Sequence, residues 1–294
     1  MDGAAQSFSL APSRRVRRRK LVNRVMEAIA TIASLAAIAV LVLVVYSIAR
    51  RGAAAISWNF FTKAPATFGE SGGGIAPAIV GTIVITFFAT LMALPVGVLT
   101  AIYASEFAPR KLATLVRTAL DVVNGLPTII FGIFVFTLVV IAHGQSALAG
   151  AFALSIVMLP LIARATQEVL RLVPSSLREA GLALGASRWR TVLGVILPTS
   201  LGGILTGTTL AIARAAGETA PLLFTSSIVA QQVTWDPRQA LQSIPVSIFE
   251  LSESADPADH ARAWAAALVL LTFVLVSSLT ARALLARNRR KLGL

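Results

Sequence analysis

The sequence predicts an all-α integral membrane protein with six transmembrane helices, and three observations carry that prediction. Of 294 residues, 56% are hydrophobic and 13% are charged, a charged share about half that of a soluble domain. A soluble chain this apolar would expose adhesive patches, a penalty that lipid removes. Charge-free runs recur at or beyond the ~20 residues a helix needs to cross the hydrocarbon core. Lys and Arg gather on one side of those runs once they are threaded alternately through a bilayer.

The elements follow in order. Residues 1–25 form a basic tail with Arg14, Arg15, Arg17, Arg18, Arg19, Lys20 and Arg24. The formal net charge of +13 would suggest a nucleic-acid partner in a soluble protein. Here the cluster abuts an apolar run, so it reads as an anchor on the cytoplasmic side, with the lipid bilayer as partner and no nucleic acid. Ala28–Ala49 is uncharged and forms the first span. It is about twice the apolar core of a signal peptide, which argues that it is retained. Trp58, Phe60 and Phe61 are expected to be interface anchors. Gly72–Gly74 give a flexible entry to the second span, Ile75–Tyr103, with Pro95 as its kink site.

The third span is expected at about Leu112–Ile141, with Asp121 near its cytoplasmic end. The polar break at 142–145 separates it from the fourth, Ser146–Ala163. A polar segment, Arg164–Arg190, follows. The fifth span begins near Thr191 and its apolar run continues to about Ile228, interrupted by Arg214 and Glu218. Residues 231–262 carry five acids and three prolines and read as an extramembrane loop. Ala263–Ala281 is the sixth span. The membrane domain covers 26–286, and 287–294 form a basic tail. With both termini cytoplasmic, 19 Lys and Arg lie inside and five outside, leaving out Arg164 and Arg214.

Composition also excludes chemistry. The chain has no cysteine, so it forms no disulfide and offers no thiolate ligand or nucleophile. His143 and His260 are too far apart in sequence to suggest a metal pair. No Gly-x-x-x-x-Gly-Lys-Ser/Thr pattern occurs, so ATP hydrolysis would fall to another subunit. No cluster of acid, base and nucleophile supports an intramembrane enzyme.

Two segments carry function. In the first, Glu179-Ala180-Gly181 is followed after three residues by Gly185, and after nine more by Val195-Ile196-Leu197-Pro198. Pro174 suits a helix start and Gly185 a helix stop. The result is a short helix-turn-helix on the cytoplasmic surface, at about 167–198. In the second, Arg214 and Glu218 lie four apart, so on a helix they share a face and can pair. Charges within a span are costly, about 2.5–3.5 kcal/mol for Arg on insertion scales. They persist when paired or when facing a polar path. The fork of Arg214 suits phosphate oxygens, and Glu218 would keep the anion from binding too tightly. A static ion pair fixing helix packing is the alternative. Gly125, Pro127 and Thr128 mark either a pore-lining hinge or a packing kink. Arg164 is either an exit contact for the anion or a side chain snorkelling to the interface.

The spacing around Glu179 resembles the EAA loop of ABC importer permeases, with Gly181 in place of the second alanine and Val195 in place of isoleucine. The string from Ala213 to Pro221 resembles the phosphate branch, and Ala220-Pro221 its PstA type rather than its PstC type. The segments 72–82, 121–132 and 160–168 are similar to that family too. The resemblance implies a MetI-like type I permease in the bacterial inner (plasma) membrane, moving inorganic phosphate into the cell. It implies that Glu179, Ala180, Gly181, Gly185, Leu197 and Pro198 couple to an ATPase. It also implies that Arg214, Glu218, Arg164, Thr219 and Thr128 line the substrate path. Implied partners are a homologous PstC-type permease, a PstB-type ATPase dimer and a PstS-type phosphate-binding protein. This chain would hold no cofactor; ATP and Mg would sit on the ATPase. Other readings are an ABC permease for a different solute, or a secondary transporter or channel without an ATPase.

Overall fold

A computed structural model describes residues 14–66, 72–229 and 232–291, with the side chains of residue 281 and of 284–291 left out. Residues 1–13 of the N-terminal basic tail and 292–294 of the C-terminal one lie outside the described residues. The chain divides into two compact units, Met1–Arg50 and Arg51–Leu294.

The described residues of the first unit, 14–50, are all helical and belong to α1 (Arg14–Gly52). Its 39 residues would extend ~58 Å at 1.5 Å per residue, well beyond a hydrocarbon core of ~30 Å. The expected span Ala28–Ala49 fills that core, and the arginine-rich turns continue the same helix past it. Leu35, Leu41 and Leu43 are exposed along α1, as side chains meeting lipid would be.

In the second unit, α2 (Trp58–Thr62) starts where the Ser57 hydroxyl accepts from the Phe60 N–H, a standard N-cap. α3 (Ala76–Ile102) runs through Pro95 and closes in a π-helical turn, Tyr103–Phe107. α4 (Arg110–Gly125) and α5 (Thr128–Val135) meet at a 92° bend. A π-helical turn and α6 (Ile141–His143) continue α5 to the Gly144 turn. α7 (Ala147–Leu172) follows, capped by Ser146. α8 (Ser175–Ala183) and α9 (Arg188–Thr191) form the helix-turn-helix. α9 passes through the π-helical turn Val192–Ile196 into α10 (Leu197–Ala215). α11 (Ala220–Thr225), α12 (Ile244–Glu253) and α13 (Pro257–Lys291) complete the chain.

Five described helices are long and apolar enough to span a bilayer, and the bent pair α4–α5 makes a sixth if counted as one. The third span is therefore not the straight helix expected over Leu112–Ile141. Pro127 lacks an N–H, and it forces Leu126 into extended geometry at φ −75°, ψ 142°. α4 is left as an amphipathic helix that buries Ala113 and Leu120. The fourth span is longer than expected, since α7 continues through Arg164 to Leu172. The fifth, whose end the apolar run to about Ile228 left open, stops at Ala215. Phe60 is not an interface anchor: at 1% exposure it packs in a core with Ile75, Ile244 and Leu251. Trp58 is 81% exposed. The segment read as an extramembrane loop contains a helix among its described residues, 232–262. Its α12 is buried against α3 and α13, and the Ile244 N–H donates to Thr82 Oγ1 at 2.8 Å.

The centre of the unit is the pairing of α3 with α7. Ala89, Ala93, Ala151, Leu154, Met158 and Ile162 are all buried there. Small residues bring the backbones close, which is how helices associate when lipid removes the hydrophobic drive between them. α10 joins the same way. A Cβ on Gly203 would stand 2.6 Å from Val169, and one on Gly207 2.4 Å from Ala165. The end of this unit carrying Arg110, Lys111, Arg171, Arg188 and Arg190 is called the basic face below.

Candidate functional site

α10 ends in Ala215 because the residues after it turn. The Gly217 N–H donates to Arg214 O at 3.0 Å and the Glu218 N–H to Ala215 O at 3.0 Å. Arg214 is thus in the last helical turn and Glu218 beyond it, so the two do not share a helix face as expected. The turn still brings them together, with Arg214 Nε 4.0 Å from Glu218 Oε1. Arg214 is 59% exposed and Glu218 17%. Among the described residues no hydrogen bond engages the Arg214 guanidinium. Thr128, at the start of α5, donates to Glu218 Oε2 at 3.4 Å. Thr219 caps α11, its carbonyl accepting from the Leu222 and Leu223 N–H groups.

The depth of this cluster follows from packing. α7 and α10 are antiparallel, with Gly203 against Val169 and Gly207 against Ala165. Extending that register, one residue down α7 for each residue up α10, places Arg214 level with Met158. Ala211 and Ala215 share a buried cluster with Leu154, Met158 and Ile162, as the register requires. Met158 is near the middle of Ala147–Leu172. Arg214 is therefore at the end of its own helix yet at mid-depth in the bundle. α11 then climbs beside α5, where Gly132 leaves room for Pro221: a Cβ would stand 2.7 Å from its Cα.

Arg164 lies six residues further along α7, about 9 Å closer to the basic face at 1.5 Å per residue. Its guanidinium pairs with Asp121 on α4 and donates to Arg117 O at 3.1 Å. Arg164 is 29% exposed. Two contacts thus flank the 92° bend: the Arg164–Asp121 ion pair to α4 just before it and the Thr128–Glu218 hydrogen bond to α5 just after it.

On the basic face, α8 presents Glu179 and Ala180 to the exterior. Gly181 is buried, because a Cβ there would stand 2.6 Å from Thr191 Cγ2. The departure from alanine thus lets α8 lie closer to α9. Gly185 ends the helix with φ +78°. Its N–H donates to Leu182 O at 2.9 Å and the Ala186 N–H to Gly181 O at 3.1 Å, the bond pair of a Schellman stop. Leu197 and Pro198 open α10. Pro198 has no N–H for the preceding turn, and the π-helical turn before it absorbs the defect. Leu197 packs on the cluster of Ile102, Leu170, Val192 and Ile196.

One constellation was not singled out from the sequence. Arg178 turns inward from α8 and binds Glu106, 72 residues earlier, at 2.8 Å. The available signal was Glu106 closing a long charge-free run, but nothing in the spacing joins it to Arg178. The described residues contain no group of three or more His, Cys, Asp or Glu that could hold a metal ion.

Residues 93–290 match the family described as "Binding-protein-dependent transport system inner membrane component". The chain is 35% identical over 285 residues to the phosphate transport system permease protein PstA of Yersinia pestis, covering 96% of each. It is 37% identical to PstA of Xylella fastidiosa strain Temecula1, covering 96% of this chain and 99% of that one. Among solved structures, it superposes on a chain of the inward-facing MetNI methionine ABC transporter with TM-score 0.58 at 20% identity, covering 73% of this chain and 94% of that one. A bacterial ABC transporter involved in importing the acidic polysaccharide alginate gives TM-score 0.58 at 17% identity, covering 91% of this chain and 99% of that one.

Proposed function

The chain belongs to the binding-protein-dependent transport inner-membrane components, a multi-pass membrane family, and from that premise we propose that it is the PstA-type permease subunit of an ATP-driven phosphate importer. The PstA relatives, matched over nearly the full length of each chain, support phosphate as substrate. ABC partner components follow from the family. Their finer identities are part of the proposal: a homologous PstC-type permease, a PstB-type ATPase dimer carrying ATP and Mg, and a PstS-type binding protein. ATP hydrolysis falls to the ATPase, and this chain contributes the path and the coupling loop.

The observation that carries the reading is an exposed arginine at mid-depth, 4.0 Å from a carboxylate. A bare guanidinium facing lipid is costly. A second permease placed against this face would cover it and leave a polar path between the two chains. There Arg214 offers a planar donor fork to phosphate oxygens. Glu218, held by Thr128, competes for the same donors. Phosphate is captured when it displaces the carboxylate and released when the carboxylate returns, the balance that conduction requires. Arg164 would take the anion next, about 9 Å nearer the basic face. Glu179, Ala180, Gly181, Gly185, Leu197 and Pro198 would build the ATPase-docking elbow.

The reading is tested by phosphate uptake in cells with and without the gene, together with purification of the tagged chain. Uptake that depends on the gene, with an ATPase in the purified complex, is expected. Gene-independent uptake and a chain that purifies without an ATPase would contradict it.

A further inference from the structure

On α8 the neighbours Glu179 and Ala180 face outward, whereas Arg178 turns into the bundle. Its Nε donates to both Glu106 oxygens at 3.3 and 3.2 Å, and its Nη2 to Glu106 Oε1 at 2.8 Å. The same guanidinium donates to Leu170 O at 2.8 Å and to Val173 O at 2.7 Å. Leu170 is in the last turn of α7, and Val173 is the residue that ends it. Glu106 is 7% exposed and sits in the π-helical turn that closes α3. One side chain therefore ties α8 to the ends of both central helices.

The bonds are of a kind that resists shear. A fork bound at two carboxylate oxygens fixes angle as well as distance. The turn that holds Glu106 is the kind of local distortion that concentrates at functional positions in helices. α8 has a second attachment, Gly181 against Thr191, but that one leads toward α10. Phe107 adds a contact beside the fork, its ring 5.8 Å from that of Trp189.

We propose that Arg178 and Glu106 are a positioning pair that transmits displacement of α8 to α3 and α7, and so couples ATP hydrolysis to opening of the path. This rests on the reading of the chain as an ABC importer permease. It adds two residues that touch neither the substrate nor, by their placement, the docked ATPase. A purely structural role would show in assembly or heat resistance alone, with the coupling ratio of the assembled complex unchanged. A transmission role alters the number of phosphate ions moved per ATP hydrolysed.

The test uses the intact importer, with ATPase and binding protein, in proteoliposomes. Glu106→Gln and Arg178→Lys are each expected to lower phosphate moved per ATP about tenfold, a common size for coupling between sites. The ATPase should still co-purify at the wild-type ratio. The chain has no cysteine, so the double variant Glu106→Cys with Arg178→Cys in a thiol-free complex provides one defined cross-link. A short bifunctional thiol reagent should recover most of the lost coupling. An unchanged phosphate-to-ATP ratio in both single variants would overturn the proposal. So would a ratio that falls only because the ATPase is lost, or a cross-linked protein that stays uncoupled. A wild-type complex that hydrolyses ATP but moves no phosphate would instead overturn the assignment of substrate, and the two failures are read from different samples.

Discussion

Glu106 and Arg178 on the basic face are 2.8 Å apart, with the carboxylate 7% exposed and the guanidinium 28%. Glu218 and Arg214 at mid-depth are 4.0 Å apart, with the carboxylate 17% exposed and the guanidinium 59%. Both are Glu–Arg pairs, and their surroundings give them different work. The first guanidinium reaches two backbone carbonyls as well as the carboxylate. The second leaves its fork open toward the face that a second subunit would cover. A saturated pair holds elements together, whereas an unsaturated one has capacity left for an incoming anion. On the proposed reading, the tighter pair serves the machinery that moves and the looser pair the passage of the anion.

Substitutions can break that contrast. The largest stability effect is expected for Glu106→Leu, which leaves Arg178 without its acid. Removing one partner of a buried pair costs about 3 kcal/mol, read as a clear drop in the melting temperature of the detergent-solubilised complex. Gly207→Val comes next, because even a Cβ would stand 2.4 Å from Ala165. Overpacking of that kind costs about 1–3 kcal/mol, and a melting curve should show α10 loosened from α7. Glu218→Gln should change melting less, since Arg214 lies 4.0 Å from the carboxylate, at the limit of an ion pair, and is itself 59% exposed. Its effect is functional: phosphate should bind more tightly and turn over more slowly, checked by equilibrium binding beside transport rate. A Glu218→Gln protein that melts far below wild type would erase the distinction between the pairs. The smallest effect belongs to Gly185→Ala. At φ +78° a side chain costs about 1 kcal/mol, visible as faster proteolysis of the loop.

Most of the architecture was legible because lipid imposes a simple rule on composition. Long uncharged runs become helices, and the spans around Ala28–Ala49 and Ala263–Ala281 lie within α1 and α13. The errors fall where backbone chemistry overrides hydropathy. Leu112–Ile141 contains no charge after Asp121, so hydropathy draws one line through it, while Pro127 turns the chain by 92°. The apolar run of the fifth span continues past Arg214 and Glu218 toward Ile228, so hydropathy leaves its end open, and the Gly217 turn ends the helix at Ala215. Phe60 shows another limit. An aromatic beside a span suits an interface belt, and only the fold reveals that it is buried under α12 and α13. Within the site, Arg214 and Glu218 were readable as a pair because they are near in sequence. Thr128 with Glu218, Asp121 with Arg164 and Glu106 with Arg178 join residues 90, 43 and 72 positions apart. No local spacing encodes those pairings.

The most direct test of the central claim is ATP-driven phosphate uptake by the reconstituted complex carrying Arg214→Gln, compared with wild type at equal assembly. Losing a charge-assisted donor fork costs about 1.5–3 kcal/mol, so uptake should fall at least tenfold while the partner ATPase remains bound. Uptake at the wild-type rate would show that phosphate passes without meeting Arg214, and the mid-depth pair would then be no part of its path.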